Sequence, residues 1–190
     1  MQTFEKLSDD FHVNVNIKEI LEKFSKNDDT SIYERLPIIP PARKLVWQSY
    51  PSDIQFARNF HIVFPELCTA VVNKLRCIQL MLARSSNPSL LCKVFLSTNF
   101  RNSNVNLIHT FGAVKPHVDI TRHYSISIGI TDTISTTHVS RSTNMHDANN
   151  AEYDDYCVKR GELYITNVKH VHWVSSNSTA DRYILTYNIL

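Results

Sequence analysis

The sequence predicts one mainly β domain with N-terminal helices, arranged as a jelly roll or a related barrel. Helical periodicity is found in residues 1–88, whereas runs of β-branched and aromatic residues fill residues 89–190. A helical layer in front of about seven short strands is typical of a jelly roll. The 190 residues, 43% of them hydrophobic, suffice for one core and are too few for two domains of ordinary size. We therefore expect a single domain, with a mostly helical layer over residues 1–88 and a β core over residues 89–190.

Two helical regions are predicted in the N-terminal half. Asn16 is a suitable N-cap for a short amphipathic helix over residues 17–24. The proline-rich segment 36–41 cannot continue a helix, because proline lacks an amide donor, and is predicted to be an extended connector. Helical periodicity returns over residues 53–64 and 66–84, with a proline between them. The last of these helices carries one apolar stripe that we expect to pack on a sheet: Leu67, Val71, Leu75, Ile78 and Leu82.

Strands are predicted where β-branched and aromatic residues cluster after residue 88. In one of them, isoleucines at 126, 128 and 130 alternate with two serines and a glycine, so one face should be apolar and the other should line a cavity. The polar segment 131–160 has no strong period, and we expect a long loop, of the kind that often forms a lid, or an irregular hairpin. The predicted strands are Leu90–Leu96, Val105–Phe111, Val114–Asp119, His123–Ile130, Glu162–Thr166, His170–Val174 and Arg182–Ile189.

The composition excludes several functional classes. The net charge is only +2, and 20 basic residues are scattered among 18 acidic ones, so no nucleic-acid partner is expected. The three glycines form no phosphate-binding loop, and the four cysteines include no C-x-x-C pair for zinc or redox chemistry. The N-terminus does not have the pattern of a signal peptide, and no apolar stretch is long enough to cross a membrane. We expect a soluble, cytoplasmic protein, and its oligomeric state is left open.

Two histidines and one carboxylate form a candidate metal site. His117 and Asp119 stand two apart in a predicted strand, so both side chains point to one side of the sheet. A histidine from a later strand completes a facial set of three, which leaves positions open for a 2-oxoacid and dioxygen on Fe(II). His172 is one candidate for this third ligand. His170 lies on the same strand face and competes with it, and Asp119 is alternatively an ordinary turn residue.

Arg182 is the candidate for holding an anionic co-substrate. It lies ten residues after His172, at the start of the last predicted strand. If a turn over residues 175–181 connects the two strands, the guanidinium can point into the barrel near the metal and form a bidentate pair with a carboxylate. The alternative is an ordinary ion pair with a surface carboxylate, which is a frequent role of arginine at a strand end.

These residues resemble a known family. The run Gly161–Asn167, followed by His172 and Arg182, is similar to the C-terminal half of the aspartyl/asparaginyl β-hydroxylase-like branch of 2-oxoglutarate oxygenases, which includes free-amino-acid hydroxylases such as proline hydroxylases. The resemblance implies a cupin-like, double-stranded β-helix with Fe(II), 2-oxoglutarate and O2 as cofactor and co-substrates. It assigns His117, Asp119 and His172 to the metal and Arg182 to 2-oxoglutarate. Ser127 stands where members of the family often have a histidine, and so is the candidate for a second co-substrate contact.

The expected function follows from this resemblance. It implies a dioxygenase that hydroxylates an unactivated C–H bond of an amino acid or an amino-acid side chain and releases succinate and CO2. Candidate substrate contacts are Arg122, Trp173 and His170. The alternative is a cupin-like metal or small-molecule binding module without oxygenase activity, in which Arg182 has no need to face the metal.

Overall fold

The computed structural model describes residues 2–22, 46–49, 54–58, 60–111, 113–131, 135–147, 151–176 and 181–190. Within these ranges the chain forms four α-helices and eleven β-strands. The helices are α1 (Ile17–Glu22), α2 (Phe60–Val63), α3 (Pro65–Leu82) and α4 (Leu90–Ser97). The strands are β1 (Phe4–Ser8), β2 (Val46–Ser49), β3 (Ile54–Arg58), β4 (Val105–Phe111), β5 (Val114–His117), β6 (Tyr124–Gly129), β7 (Ser135–Ser140), β8 (Tyr153–Tyr156), β9 (Leu163–Asn167), β10 (His172–Ser176) and β11 (Asp181–Ile189).

Two antiparallel sheets enclose a cavity. The larger sheet has the strand order β1-β9-β6-β11-β4-β3-β2, and the smaller one has the order β5-β10-β7-β8. Side chains from both sheets line the same cavity, among them Ser127 and Arg182 of the large sheet and Thr137 and His172 of the small sheet. This arrangement is the double-stranded β-helix, or jelly roll, that the sequence predicts.

The large sheet has one apolar and one polar face, which separates the core from the cavity. Ile126 and Ile128 of β6 are fully buried in the main hydrophobic cluster, together with side chains of α3 and α4. Ser125 and Ser127, which alternate with them, line the cavity. Because neighbouring residues of a strand point to opposite faces, one short segment serves both layers. The predicted alternation is therefore confirmed.

The helices cover the apolar face of the large sheet. α3 begins at Pro65, where a missing amide donor costs nothing, and its predicted stripe joins the main cluster. The side-chain amide of Gln79 donates to the carbonyl oxygens of Phe95, Leu96 and Thr98 and so fixes α3 to the end of α4. Asn16 Oδ1 accepts the amide of Glu19, as expected of an N-cap. Among the described helices, none is long and apolar enough to cross a membrane.

Two predicted elements were assigned the wrong type. Residues Leu90–Leu96, predicted as a strand, form helix α4. Ser89 Oγ caps this helix by accepting the amide of Cys92 at 3.0 Å, and a short apolar run does not by itself distinguish a helix from a strand. Residues 53–64 are predicted as one helix, but they contain strand β3 followed by the four-residue helix α2. The first part is a strand because it pairs with the edge of β4.

The first 88 residues also contribute strands to the sheet, so they are not only a helical layer. β1 pairs with β9 at one edge of the large sheet, and β3 and β2 extend the other edge. In the polar segment 131–160, the irregular hairpin is the alternative that the structure shows, since β7 pairs with β8. The predicted connector 36–41 lies outside the described residues.

Gly129→Ala tests how tightly the end of β6 packs. A Cβ atom at this position would lie 1.9 Å from the carbonyl oxygen of Lys159, so the backbone would have to move. We expect the free energy of unfolding, measured with urea, to fall by about 3 kcal/mol. Ser125→Ala, on the same strand face, is the control and should cost less than about 1 kcal/mol. Equal stability of Gly129→Ala and the wild type would contradict this packing.

Candidate metal centre

The two candidate histidine ligands face each other across neighbouring strands. β5 pairs with β10 so that His117 lies opposite His172, with ring centroids 4.2 Å apart. The pairing register shifts between Val114 and His117, where β5 contains one residue more than β10. β5 is an edge strand, which accommodates Pro116. The irregularity lets both Val114 and His117 line the cavity although they are three residues apart, because a bulge re-aims the side chain that follows it.

Hydrogen bonds fix which nitrogen each ring presents to the cavity. Nδ1 of His117 lies 2.8 Å from the carbonyl oxygen of Lys115, and Nδ1 of His172 lies 2.9 Å from that of His170. A carbonyl oxygen only accepts, so Nδ1 carries the proton and Nε2 keeps its lone pair. Burial, together with the charge of His117, lowers the pKa of His172 from 6.5 to about 4. The ring of His172 is therefore neutral at physiological pH, as a metal ligand must be.

The candidate carboxylate ligand is carried by a loop rather than by a strand. β5 ends at His117, so Asp119 lies two residues beyond the strand that the sequence predicts to extend to it. Its amide donates to the carbonyl oxygen of Val168 at 3.0 Å. Asp119 Oδ2 then lies 4.0 Å from His172 Nε2, and one ligand atom from each of the three residues lies within 4.8 Å of the others. The structure thus brings the three predicted ligands together.

Arg122, predicted to bind the substrate, lines the cavity and also contacts Asp119. Its Nη2 lies 2.7 Å from Asp119 Oδ2, and its Nη1 donates to Asn188 Oδ1 at 2.7 Å. The contact with Asp119 is a close ion pair without hydrogen-bond alignment, so the buried Oδ2 has no directed donor. A buried acceptor of this kind is suited to a metal ion. Two imidazole nitrogens and one carboxylate form the facial set that Fe(II) accepts, so the residues fit the metal.

Arg182 points into the same cavity from the large sheet. It is 4% exposed and lies opposite Thr110 of β4. Burial lowers the pKa of its guanidinium. Its Nε has no hydrogen-bond acceptor, and among the described residues no Asp or Glu forms an ion pair with it. A buried cation without a carboxylate partner is costly, which makes this position suited to an anionic ligand.

Hydroxyl groups line the cavity near Arg182. The buried Tyr156 of β8 lies with its hydroxyl 2.6 Å from Thr166 Oγ1 and also interacts with Ser127. Burial raises the pKa of Tyr156, so its hydroxyl keeps its proton. The Oγ1 atoms of Thr110 and Thr186 are buried without a partner among the described residues. Phe4 of β1 packs on Tyr156 with ring centroids 4.3 Å apart and supports it from behind.

Among these hydroxyl residues, sequence reasoning identified only Ser127. Thr186 is four residues from Arg182 on the same strand, so the two-residue period of a strand already places both side chains on one face. Thr110 becomes identifiable only with the β4–β11 register, which pairs it with Arg182. Tyr156 lies in the polar stretch that was predicted as a loop or an irregular hairpin, where no apolar alternation marks β8.

Two further candidate substrate contacts lie away from the cavity. Trp173 points to the opposite face of β10 from His172, where it stacks on His138 at 5.0 Å. It does not line this cavity, because adjacent residues of a strand point to opposite faces. His170 is buried in the turn before β10, with Nδ1 2.9 Å from the carbonyl oxygen of Ser140. Neither side chain belongs to the cavity lining of the described residues.

Comparison with known proteins extends only to the fold. No protein-family model and no curated protein matches the chain. AviO1 from Streptomyces viridochromogenes Tue57 is 9% identical, with a TM-score of 0.52 over 98% of this chain and 89% of AviO1. The non-heme alpha ketoglutarate dependent epimerase SnoN from nogalamycin biosynthesis is 10% identical, with a TM-score of 0.45 over 70% of this chain and 60% of SnoN. A 2OG-Fe(II) oxygenase family oxidoreductase from Burkholderia pseudomallei is 14% identical, with a TM-score of 0.36 over 44% of this chain and 40% of its own.

This chain therefore spans less than two thirds of the length of SnoN and of the Burkholderia oxidoreductase. At such low identities the similarity shows the architecture alone. The match to AviO1, which extends over nearly the whole chain, agrees with the double-stranded β-helix found here.

The protonation state of His172 is open to direct measurement. In the metal-free protein we expect long-range 1H–15N NMR spectra to show the Nδ1–H tautomer and a ring that is protonated only as the pH falls to about 4. Because the unfolded chain takes up this proton near pH 6.5, the folded state should lose stability as the pH falls from about 6.5 toward 4. An Nε2–H tautomer, or titration near pH 6.5, would contradict the described geometry.

Proposed function

We propose that this protein is a non-haem Fe(II)- and 2-oxoglutarate-dependent dioxygenase that hydroxylates an unactivated C–H bond of an amino acid or an amino-acid side chain. The observation that carries the proposal is one cavity that contains both a candidate metal centre and a buried arginine that forms no ion pair with an Asp or Glu of the described residues. His117, Asp119 and His172 lie on one side of this cavity and Arg182 lies on the large sheet. A metal site alone does not require such a cation, whereas a dicarboxylate co-substrate does.

The metal-binding role falls to His117, Asp119 and His172. Their two Nε2 atoms and one carboxylate oxygen would supply three ligands and leave other positions on the ion open. When bound, Fe(II) with 2-oxoglutarate and O2 supplies the oxidising chemistry that hydroxylates the substrate and yields succinate and CO2. The protein keeps both rings in the required tautomer through the carbonyl oxygens of Lys115 and His170.

The co-substrate role falls to Arg182, assisted by neighbouring hydroxyl groups. Its planar guanidinium offers paired donors that match a carboxylate, and its burial strengthens the attraction because the local dielectric constant is low. Ser127 of the large sheet and Tyr156 of the small sheet supply hydroxyl groups to the same cavity. The protonated phenol of Tyr156 is able to donate a further hydrogen bond to an anion.

Metal binding and turnover provide the first test. The anaerobic protein should bind Fe(II) and, with 2-oxoglutarate, develop a visible charge-transfer absorption; on exposure to O2 with free amino acids it should release succinate. His172→Ala should weaken metal binding by at least about 100-fold, because one of three ligands is lost. His170→Ala is the matched control, since its side chain contacts Ser140 and not the cavity. Absence of both absorption and succinate, or loss of metal only in His170→Ala, would refute the assignment.

The role of Arg182 is tested by separating binding from stability. Arg182→Met should weaken 2-oxoglutarate binding, measured by calorimetry on the Mn(II)-loaded protein, by about 100-fold, because a buried charge partner is removed. The same variant should leave the stability of the ligand-free protein unchanged or raise it by about 1–2 kcal/mol, because the cost of burying the cation disappears. Arg141→Met removes an exposed arginine that pairs with Glu152 and Asp154, and should retain full affinity.

Undiminished 2-oxoglutarate affinity in Arg182→Met would reject the co-substrate assignment. If that variant also retained metal binding, a cupin-like metal or small-molecule binding module would be the better description of the protein. The calorimetric comparison therefore separates the two functions that the sequence allows.

A further inference from the structure

Lys169 connects the two segments that carry the candidate ligands Asp119 and His172. It lies in the turn between β9 and β10, three residues before His172. Its Nζ donates to the carbonyl oxygen of Asp119 at 3.1 Å and to that of Ile120 at 2.7 Å. Its own amide donates to Asn167 Oδ1 at 3.1 Å, which fixes the start of the lysine side chain within the turn. One ammonium group therefore holds two consecutive carbonyl groups of the loop.

Backbone hydrogen bonds connect the same two segments. The amide of Asp119 donates to the carbonyl oxygen of Val168 at 3.0 Å, and the amide of Val168 donates to that of His123 at 3.1 Å. The loop after β5 is thus attached to the turn before β10 at both of its ends, and Lys169 holds its middle. Because β10 starts directly after this turn, one turn sets the positions of two of the three candidate ligands.

The loop has little side-chain packing of its own to keep it in place. Ile120, at its centre, is 88% exposed. Segments with few buried apolar contacts open easily, so polar contacts must supply the order that packing does not. A charged donor that binds two carbonyl groups is stronger than a neutral hydrogen bond. The position of the Asp119 main chain therefore depends on Lys169 more than on burial.

We propose that Lys169 is a positioning residue for the metal centre, which holds the Asp119 main chain so that its carboxylate converges with His117 and His172. The inference rests on the proposed function, in which Asp119 is a metal ligand. Lys169 would contact neither metal nor substrate and would act through the loop. Residues that orient metal ligands typically change metal affinity by about 10–100-fold when they are replaced.

Charge and geometry predict opposite effects of removing this lysine. On charge alone, loss of a nearby cation should tighten the binding of a divalent metal ion. On geometry alone, loss of the contacts that hold the loop should weaken metal binding. At about 0.5 M salt the Debye length is only about 4 Å, so the charge effect is largely screened. The direction of the change in affinity therefore identifies which of the two roles Lys169 has.

The test compares Lys169→Met and Lys169→Arg with the wild type. Co(II) affinity and the visible absorption bands of bound Co(II), which report ligand geometry, are measured at about 0.5 M salt. Lys169→Met should bind Co(II) about 10–100-fold more weakly and with altered bands. Lys169→Arg, which keeps a cationic donor at this position, should restore binding to within about threefold of the wild type.

A matched control comes from a lysine that does not line the cavity. Lys6, on the N-terminal strand, pairs with Asp9 and, at 2.8 Å, with Glu162. Lys6→Met removes the same charge and two ionic contacts, and should lower thermal stability without changing Co(II) affinity. If Lys169→Met binds Co(II) as tightly as Lys6→Met does, or more tightly, the positioning role is refuted. If the wild-type protein binds no divalent metal ion at all, it is the proposed function that fails.

Discussion

The register between β5 and β10 is the constraint on which the candidate metal centre depends. It sets His117 opposite His172 across the strand pair, and the bulge before His117 turns that ring into the cavity. A slip of one residue would turn β10 over and exchange His172 with Trp173, leaving an indole where an imidazole is needed. On its other side β10 pairs with β7 over five residue pairs, and this pairing makes such a slip unfavourable. The geometry of the site is therefore a property of the small sheet as a whole.

The large sheet meets a different requirement, since it must hold a cation away from water. Arg182 stands on its polar face, while Tyr183 and Leu185 of the same strand pack into the apolar cluster behind. The apolar face contributes hydrophobic stabilisation, which offsets the cost of burying Arg182 without an ion pair to an Asp or Glu of the described residues. The sheet can thus hold a buried cation because its opposite face is extensively buried.

The sequence predicts those parts of the fold that obey a strong period. β4, β6 and β11 alternate clearly, and the stripe of α3 has the helical spacing, so their types were predictable. β8 has the sequence Tyr-Asp-Asp-Tyr and was hidden, because a strand that lines a polar cavity need not show apolar alternation. β1 and β3 are short strands near the sheet edges, where pairing with distant residues decides the structure and local propensity says little.

For the candidate site, the ligand residues could be predicted from the sequence, but the residues that hold them in place could not. His117 and Asp119 followed from chemistry and spacing, and the family resemblance selected His172 over His170. The contact of Arg122 with Asp119 lies in a loop whose course the sequence does not reveal. The outward orientation of Trp173 could have been predicted, because adjacent residues of a strand point to opposite faces and His172 points inward.

The segment that contains Thr3 and β1 contacts both sheets of the barrel. Phe4 of the large sheet packs on Tyr156 of the small sheet, and Thr3, which precedes β1, donates to Asp154 of the small sheet, so this segment connects the two walls of the barrel. Substitution of Phe4 or Thr3 would therefore remove a contact between the two sheets that enclose the cavity.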